Sequence, residues 1–132
     1  SYNRPKGEVS VDASRVSADE ATRRAAILRG SGDFQSYFNM FSSAEKPSRT
    51  PFLIITVSDT GLGIPERDQM SIFRTFFRAE NVKKEGMQGT GLGLSIVKSI
   101  VERSGGRIGF ESKEGIGTTF YLFFPLEQTQ GK

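Results

Sequence analysis

Residues 52–58 form an apolar run that leads without interruption into Asp59-Thr60-Gly61-Leu62-Gly63-Ile64-Pro65. A short continuous apolar run reads as a strand buried on both faces. A carboxylate at the end of such a strand is held by a rigid scaffold. Glycines beside it let backbone approach closely, so the pair can receive the amino group of a planar ligand. The same residue types also build tight strand-to-helix turns. Alone, the motif is compatible with either.

A second glycine motif follows. Gly89-Thr90-Gly91-Leu92-Gly93-Leu94-Ser95 opens a segment in which Leu92, Ile96 and Ile100 recur at four, with Val97 and Val101 beside them. That period predicts a helix over residues 92–103, stopped by Ser104-Gly105-Gly106. Alternating glycines at a helix start bare a run of N–H groups at the positive end of the dipole, a ready phosphate site. A flexible linker capped by a helix is the plainer alternative. The spacing is neither G-x-x-x-x-G-K-[ST] nor G-x-G-x-x-G, and the glycines follow a long polar loop, not a strand.

The remaining elements frame these two motifs. Residues 8–13 alternate apolar and polar as a first strand. Residues 14–50 are far longer than a hairpin connection needs. Within them, Ser17 and Glu20 form a capping-box pattern before a short helix over 21–29, and Phe34, Tyr37, Phe38 and Phe41 fall at helical spacing. Such an aromatic stripe packs on its own domain in the simpler reading; in the other it docks a partner or fills an uncovered sheet face. Residues 67–79 are partly helical, 80–91 are a mobile polar loop, and 127–132 a frayed tail. Two final strands follow, with Ile108 and Phe110 on one face of the first, and Phe120, Leu122 and Phe124 on one face of the second. The order predicts one domain over 1–132: a two-layer α/β sandwich, its mainly antiparallel mixed sheet covered by helices on one face.

Composition excludes several chemistries. The 132 residues contain no Cys and no His, so disulfides, thiolate or imidazole metal ligands and a phosphohistidine cannot come from this chain. The net charge of +3 is interrupted by acids almost everywhere, which argues against nucleic-acid binding. No apolar run approaches membrane-spanning length, so no direct membrane contact is expected.

Taken together, these residues resemble the ATP-binding catalytic domain of sensor histidine kinases, a branch of the Bergerat-fold ATPases. Residues 59–65 look like the family's first glycine box, Ile72-Phe73-Arg74-Thr75-Phe76-Phe77-Arg78 like its phenylalanine box, and residues 89–106 like its second glycine box. The resemblance implies ATP and Mg²⁺ as cofactors. Asp59 would accept from the adenine amino group, with Gly61 and Gly63 shaping the wall behind the base. Gly89, Thr90, Gly91, Leu92 and Gly93 would cradle the phosphates, residues 80–91 would form a lid, and Arg78 would lie near the γ-phosphate as the catalytic cation. The implied reaction is γ-phosphoryl transfer to a histidine on a separate dimerisation and phosphoacceptor domain, and from there to a response regulator. A cytoplasmic location follows, in a homodimer formed through helices not present here; the whole protein can be membrane-attached through other segments.

Two departures stand out. The family's magnesium-ligating asparagine precedes the Pro-x-Gly turn that here begins at Pro5, so the chain is expected to start inside the domain, with no metal ligand of its own and an inactive isolated form. The 14–50 insert occupies a connection that relatives close in a few residues. The alternative function is a degenerate nucleotide-binding regulatory module without phosphotransfer.

Overall fold

The computed structural model describes residues 8–41, 49–74 and 93–126. In chain order these form β1 (Val9–Val16), α1 (Ala18–Ala25), β2 (Arg29–Gly30), α2 (Phe34–Asn39), β3 (Phe52–Asp59), a 3-10 turn (Glu66–Ser71), α3 (Gly93–Arg103), β4 (Arg107–Lys113) and β5 (Gly117–Pro125). The five strands make one sheet in the order β1-β3-β5-β4-β2, antiparallel at every pairing. The α/β class and antiparallel sheet are as expected.

The apolar run at 52–58 is the spine of this sheet. It pairs along its whole length with β1 on one side and β5 on the other. Phe52 and Ile54 are completely buried on one face, whereas Leu53, Ile55 and Val57 on the other are only partly covered.

Alternation along the strands assigns everything else to a face. Phe52 and Ile54 share theirs with Phe123, which lies opposite Ile54, and with Gly109, which lies opposite Tyr121. Against this face pack α1 and α2, through Ala18, Ala21, Ala25, Phe34, Tyr37 and Phe38. The rings meet largely edge to face, Phe38 and Phe123 with centroids 5.0 Å apart and Phe34 and Phe123 6.0 Å apart. The expected aromatic stripe therefore packs on its own domain. Phe34 also explains Gly109, because a Cβ there would run into the Phe34 ring.

The opposite face carries Ile108 and Phe110, both buried, opposite Leu122 and Phe120. Ile72 is buried and Phe73 sets its ring 5.9 Å from Phe110. α3 packs on β4 through Val101, which is 2% exposed and stands outside the α1–α2 core. The expectation of helices on one face thus extends to two, since the 14–50 segment is long enough to lay its own pair of helices on the far side.

Local chemistry accounts for the element ends. Ser17 caps α1, its Oγ accepting from the Glu20 N–H at 3.1 Å. The Glu20 carboxylate turns instead to Arg23 and Arg24. α1 stops at Ala25 rather than running to 29, because Arg29 and Gly30 pair with Phe110 and Gly109 and extend the sheet beyond β4. α3 ends in a Schellman motif: Gly105 takes φ +85°, and Gly106 N–H donates to the Val101 carbonyl while Gly105 N–H donates to Glu102, both at 3.0 Å. The predicted stripe on α3 is split, however. Val101 is buried, but Ile96 and Ile100 are 51% and 56% exposed, because the helix turns Val101 inward and leaves Leu94 and Lys98 only partly covered.

One ionic contact ties α2 to the sheet. Arg107 reaches Asp33 through two guanidinium nitrogens, at 3.1 and 3.0 Å. It also lies 4.4 Å from the Tyr37 ring centroid. The paired guanidinium holds the Asp33 carboxyl below its usual range. A carboxyl depressed by folding contributes stability above its unfolded pKa, near 4, and loses it as pH falls through the folded value. Asp33→Asn should therefore cost stability at neutral pH and flatten the loss below about pH 4, measured as denaturation midpoints across pH.

Packing at the aromatic layer makes a sharper expectation. Gly109→Ala should destabilise the fold by about 1–3 kcal/mol through overpacking against Phe34. Gly32→Ala, where a Cβ meets open space, should change the chemical denaturation midpoint little.

Candidate nucleotide site

Asp59 is the last residue of β3 and stands opposite Val9 of β1 and Thr118 of β5. By alternation it belongs to the face of Val57, Thr118, Phe120 and Phe110, the face that α3 covers. Its carboxylate is fixed by its own turn: Oδ1 accepts the Gly61 N–H at 2.8 Å. Oδ2 has no partner among the described residues. The carboxylate is thus oriented by one oxygen and open through the other. Such an acceptor can receive an amino N–H from a planar ligand.

The loop after Asp59 is clamped to the β4–β5 hairpin. Ser112 Oγ accepts the Ile64 N–H at 2.8 Å and lies 2.7 Å from Thr118 Oγ1 and 3.1 Å from the Gly117 carbonyl. Gly115 N–H donates to the Leu62 carbonyl at 2.7 Å. Gln69, almost fully buried, spans the gap, its amide donating to Ile64 at 2.9 Å and to Ser112 at 3.3 Å. On the strand side, Thr60 and Glu8 exchange two hydrogen bonds, Thr60 N–H to the Glu8 carbonyl and Glu8 N–H to Thr60 Oγ1.

The glycines gain a reason from this clamp. Gly63 has φ +72°, and a Cβ there would strike the Lys113 carbonyl. Gly117 meets the Asp59 carbonyl in the same way. A Cβ on Gly61 would sit 3.1 Å from Asp59 Oδ1. Gly61 and Gly63 therefore let the loop lie close to the hairpin and to the carboxylate. Beside them a cleft of about 380 Å³ is lined by Ser58, Asp59, Thr60, Ser112, Gly117 and Thr118 among others.

Of the other expected site residues, Gly93 begins α3, with open space where a Cβ would stand. Gly89, Thr90, Gly91 and Leu92, the lid at 80–91 and Arg78 lie outside the described residues. Sequence reasoning missed Gln69, Ser112 and Thr118. The signal for Thr118 was a polar residue on the apolar-facing side of a strand; Gln69 and Ser112 carry no pattern of their own.

The family model of histidine kinase-, DNA gyrase B- and HSP90-like ATPases matches residues 43–128. The chain belongs to this ATPase family. Its sequence is similar to that of probable histidine kinase 5 of Oryza sativa subsp. japonica, 43% identical over 83 residues, 63% of this chain and 7% of that protein. It is also similar to the circadian input-output histidine kinase CikA of Synechococcus elongatus, 41% identical over 107 residues, 72% of this chain and 14% of that protein. The chain thus spans a small part of these relatives. The solved structure of the mycobacterial sensor histidine kinase MprB shares the fold, with TM-score 0.50 and 21% identity over 85% of this chain and 97% of that one. Within the family, the domain is of the sensor histidine kinase type, and ATP binding comes with membership. Among the described residues, no helix is long and apolar enough to cross a membrane.

The clamp makes a prediction. Ser112→Ala removes the acceptor of the Ile64 N–H and should cost about 1–3 kcal/mol of stability. Circular-dichroism denaturation measures it, and the loss should exceed that of Ser36→Ala, whose hydroxyl makes only an exposed 3.4 Å bond to Asp33.

Proposed function

We propose that this domain binds ATP with its adenine on Asp59 and supplies the γ-phosphoryl group to a histidine outside this chain. The observation that carries the adenine assignment is the Asp59 carboxylate, oriented through Oδ1 by the Gly61 N–H, with no partner at Oδ2 among the described residues. A carboxylate held this way accepts an exocyclic amino N–H without losing its orientation, and excludes bases that present a carbonyl there. Gly61 and Gly63 keep the loop beside it flat against the hairpin. The phosphates extend to the second glycine motif, where Gly89, Thr90, Gly91, Leu92 and Gly93 lead into α3 and its N–H groups face negative charge.

In the transfer, the bond from the γ-phosphorus to the ADP oxygen breaks as a bond to an imidazole nitrogen forms. The charge passes to ADP, and Arg78 is assigned to neutralise it. With no His in the chain, the acceptor imidazole lies elsewhere, in this reading on a phosphoacceptor domain that hands the group to a response regulator. Among the described residues, no group of three or more Asp, Glu, His or Cys stands where it could hold a metal ion. Mg²⁺ bound together with the nucleotide would supply positive charge against that of the phosphates. The relatives named above as histidine kinases support this reading.

Calorimetric titration with ATP tests it. Asp59→Asn keeps an oxygen for the Gly61 N–H but replaces the open acceptor, and should weaken ATP binding by about 1–3 kcal/mol. Equal affinity in a folded Asp59→Asn protein would remove Asp59 from the adenine site. Transfer is read separately, in the full-length protein, from γ-labelled ATP and its histidine-bearing acceptor domain. Acid-labile, base-stable label is the expected product, and binding without it would reduce the domain to a nucleotide sensor.

A further inference from the structure

Among the described residues, α3 buries little for a helix that follows the second glycine motif. Of its described residues only Val101 is fully buried, and Ile96, Val97 and Ile100 are exposed. Its C-terminal end, by contrast, is tied from an unexpected direction. The Tyr37 hydroxyl donates to the Gly105 carbonyl at 2.6 Å. Gly105 is the left-handed residue of the Schellman motif that closes α3. Tyr37 belongs to α2, on the opposite face of the sheet, and reaches Gly105 past the start of β4.

This tether is itself braced. Tyr37 is 5% exposed and packs edge-on against Phe38 at 4.9 Å. Arg107 lies over its ring and grips Asp33 at the start of α2. Three groups thus meet where α3 turns into β4: a ring from α2, a guanidinium from β4 and a carbonyl from the end of α3. Nothing in the adenine site requires them.

We propose that Tyr37 is a positioning residue for the phosphate half of the nucleotide site, setting the placement of α3 from the far face of the sheet. An 11-residue helix moves as a rod, so a tether at one end governs where the other points. Through it the α1–α2 layer can bias the phosphate-binding end without touching the nucleotide. The adenine end is indifferent, because Asp59 is held by β3 and its own turn. This rests on the nucleotide reading above, and the test separates the two.

Tyr37→Phe deletes the hydroxyl and keeps the ring for Phe38 and Arg107. Arg107→Lys keeps the charge and gives up the two-pronged grip on Asp33. Each variant is compared with the unaltered chain by hydrogen exchange and by titration with ATP and with adenosine. Both variants should speed amide exchange at Ser104, Gly105 and Gly106. Both should weaken ATP about two- to tenfold, the span of one hydrogen bond, while leaving adenosine affinity unchanged. A general loss of stability would lower both ligands together, and that result, or unchanged exchange at the α3 end, overturns the proposal. If the unaltered chain binds neither ligand, the nucleotide reading fails; exchange at 104–106 then decides alone whether Tyr37 holds α3.

Discussion

Full-length pairing of β3 on both sides is the constraint from which the rest follows. An eight-residue strand paired to β1 and β5 along its whole length cannot slip by one position without turning every side chain to the wrong face. Phe52 and Ile54 would leave the aromatic layer, and Asp59 would leave the face it shares with Thr118. The same register that fills one face thus delivers the carboxylate to the other. Core packing and site geometry are two consequences of one alignment.

The site itself is built by hydrogen bonds more than by burial. Gln69, Ser112 and Thr118 are polar groups held at or near the protein interior, each paired, and together they turn a glycine-rich loop into a fixed surface. Such networks cost little when complete and a good deal when one member is lost. Flexibility in the glycine motif is therefore a property of the sequence and not of the folded loop. The glycines are needed for closeness to the hairpin, as Gly63 against Lys113 makes plain.

Much of this was legible in the residues. The spine strand, the helix that Gly105 ends, the capping serine at 17 and the shared faces of the last two strands all follow from local patterns whose causes are local. The face-by-face layout was not. Nothing in the aromatic stripe at 34–41 says which side of a sheet it covers, because that depends on Gly109 and Phe123, far along the chain. β2 escaped for the same reason: two residues carry no period, and only β4 makes them a strand. The α3 stripe misled because apolar spacing reports a helix faithfully but not which of its residues turn inward. In the site, Asp59 was found because its motif is contiguous, while Gln69 and Ser112 act only through distant partners.

The route of the chain between β1 and β3 has a consequence for how the protein is made. That segment leaves the sheet beside Val16, places β2 beyond β4, and returns at Phe52, next to where it left. Its aromatic side chains close on Phe123, and its edge strand closes on Gly109 and Phe110. On a ribosome, α1 and α2 emerge well before any of those partners exist. Phe34 and Phe38 must wait in an unburied state until β5 has been synthesised, and contacts so distant in sequence form slowly. The back layer is thus translated before its partners in β4 and β5 and is among the last parts to be sealed, which gives a chaperone a long opportunity to bind there.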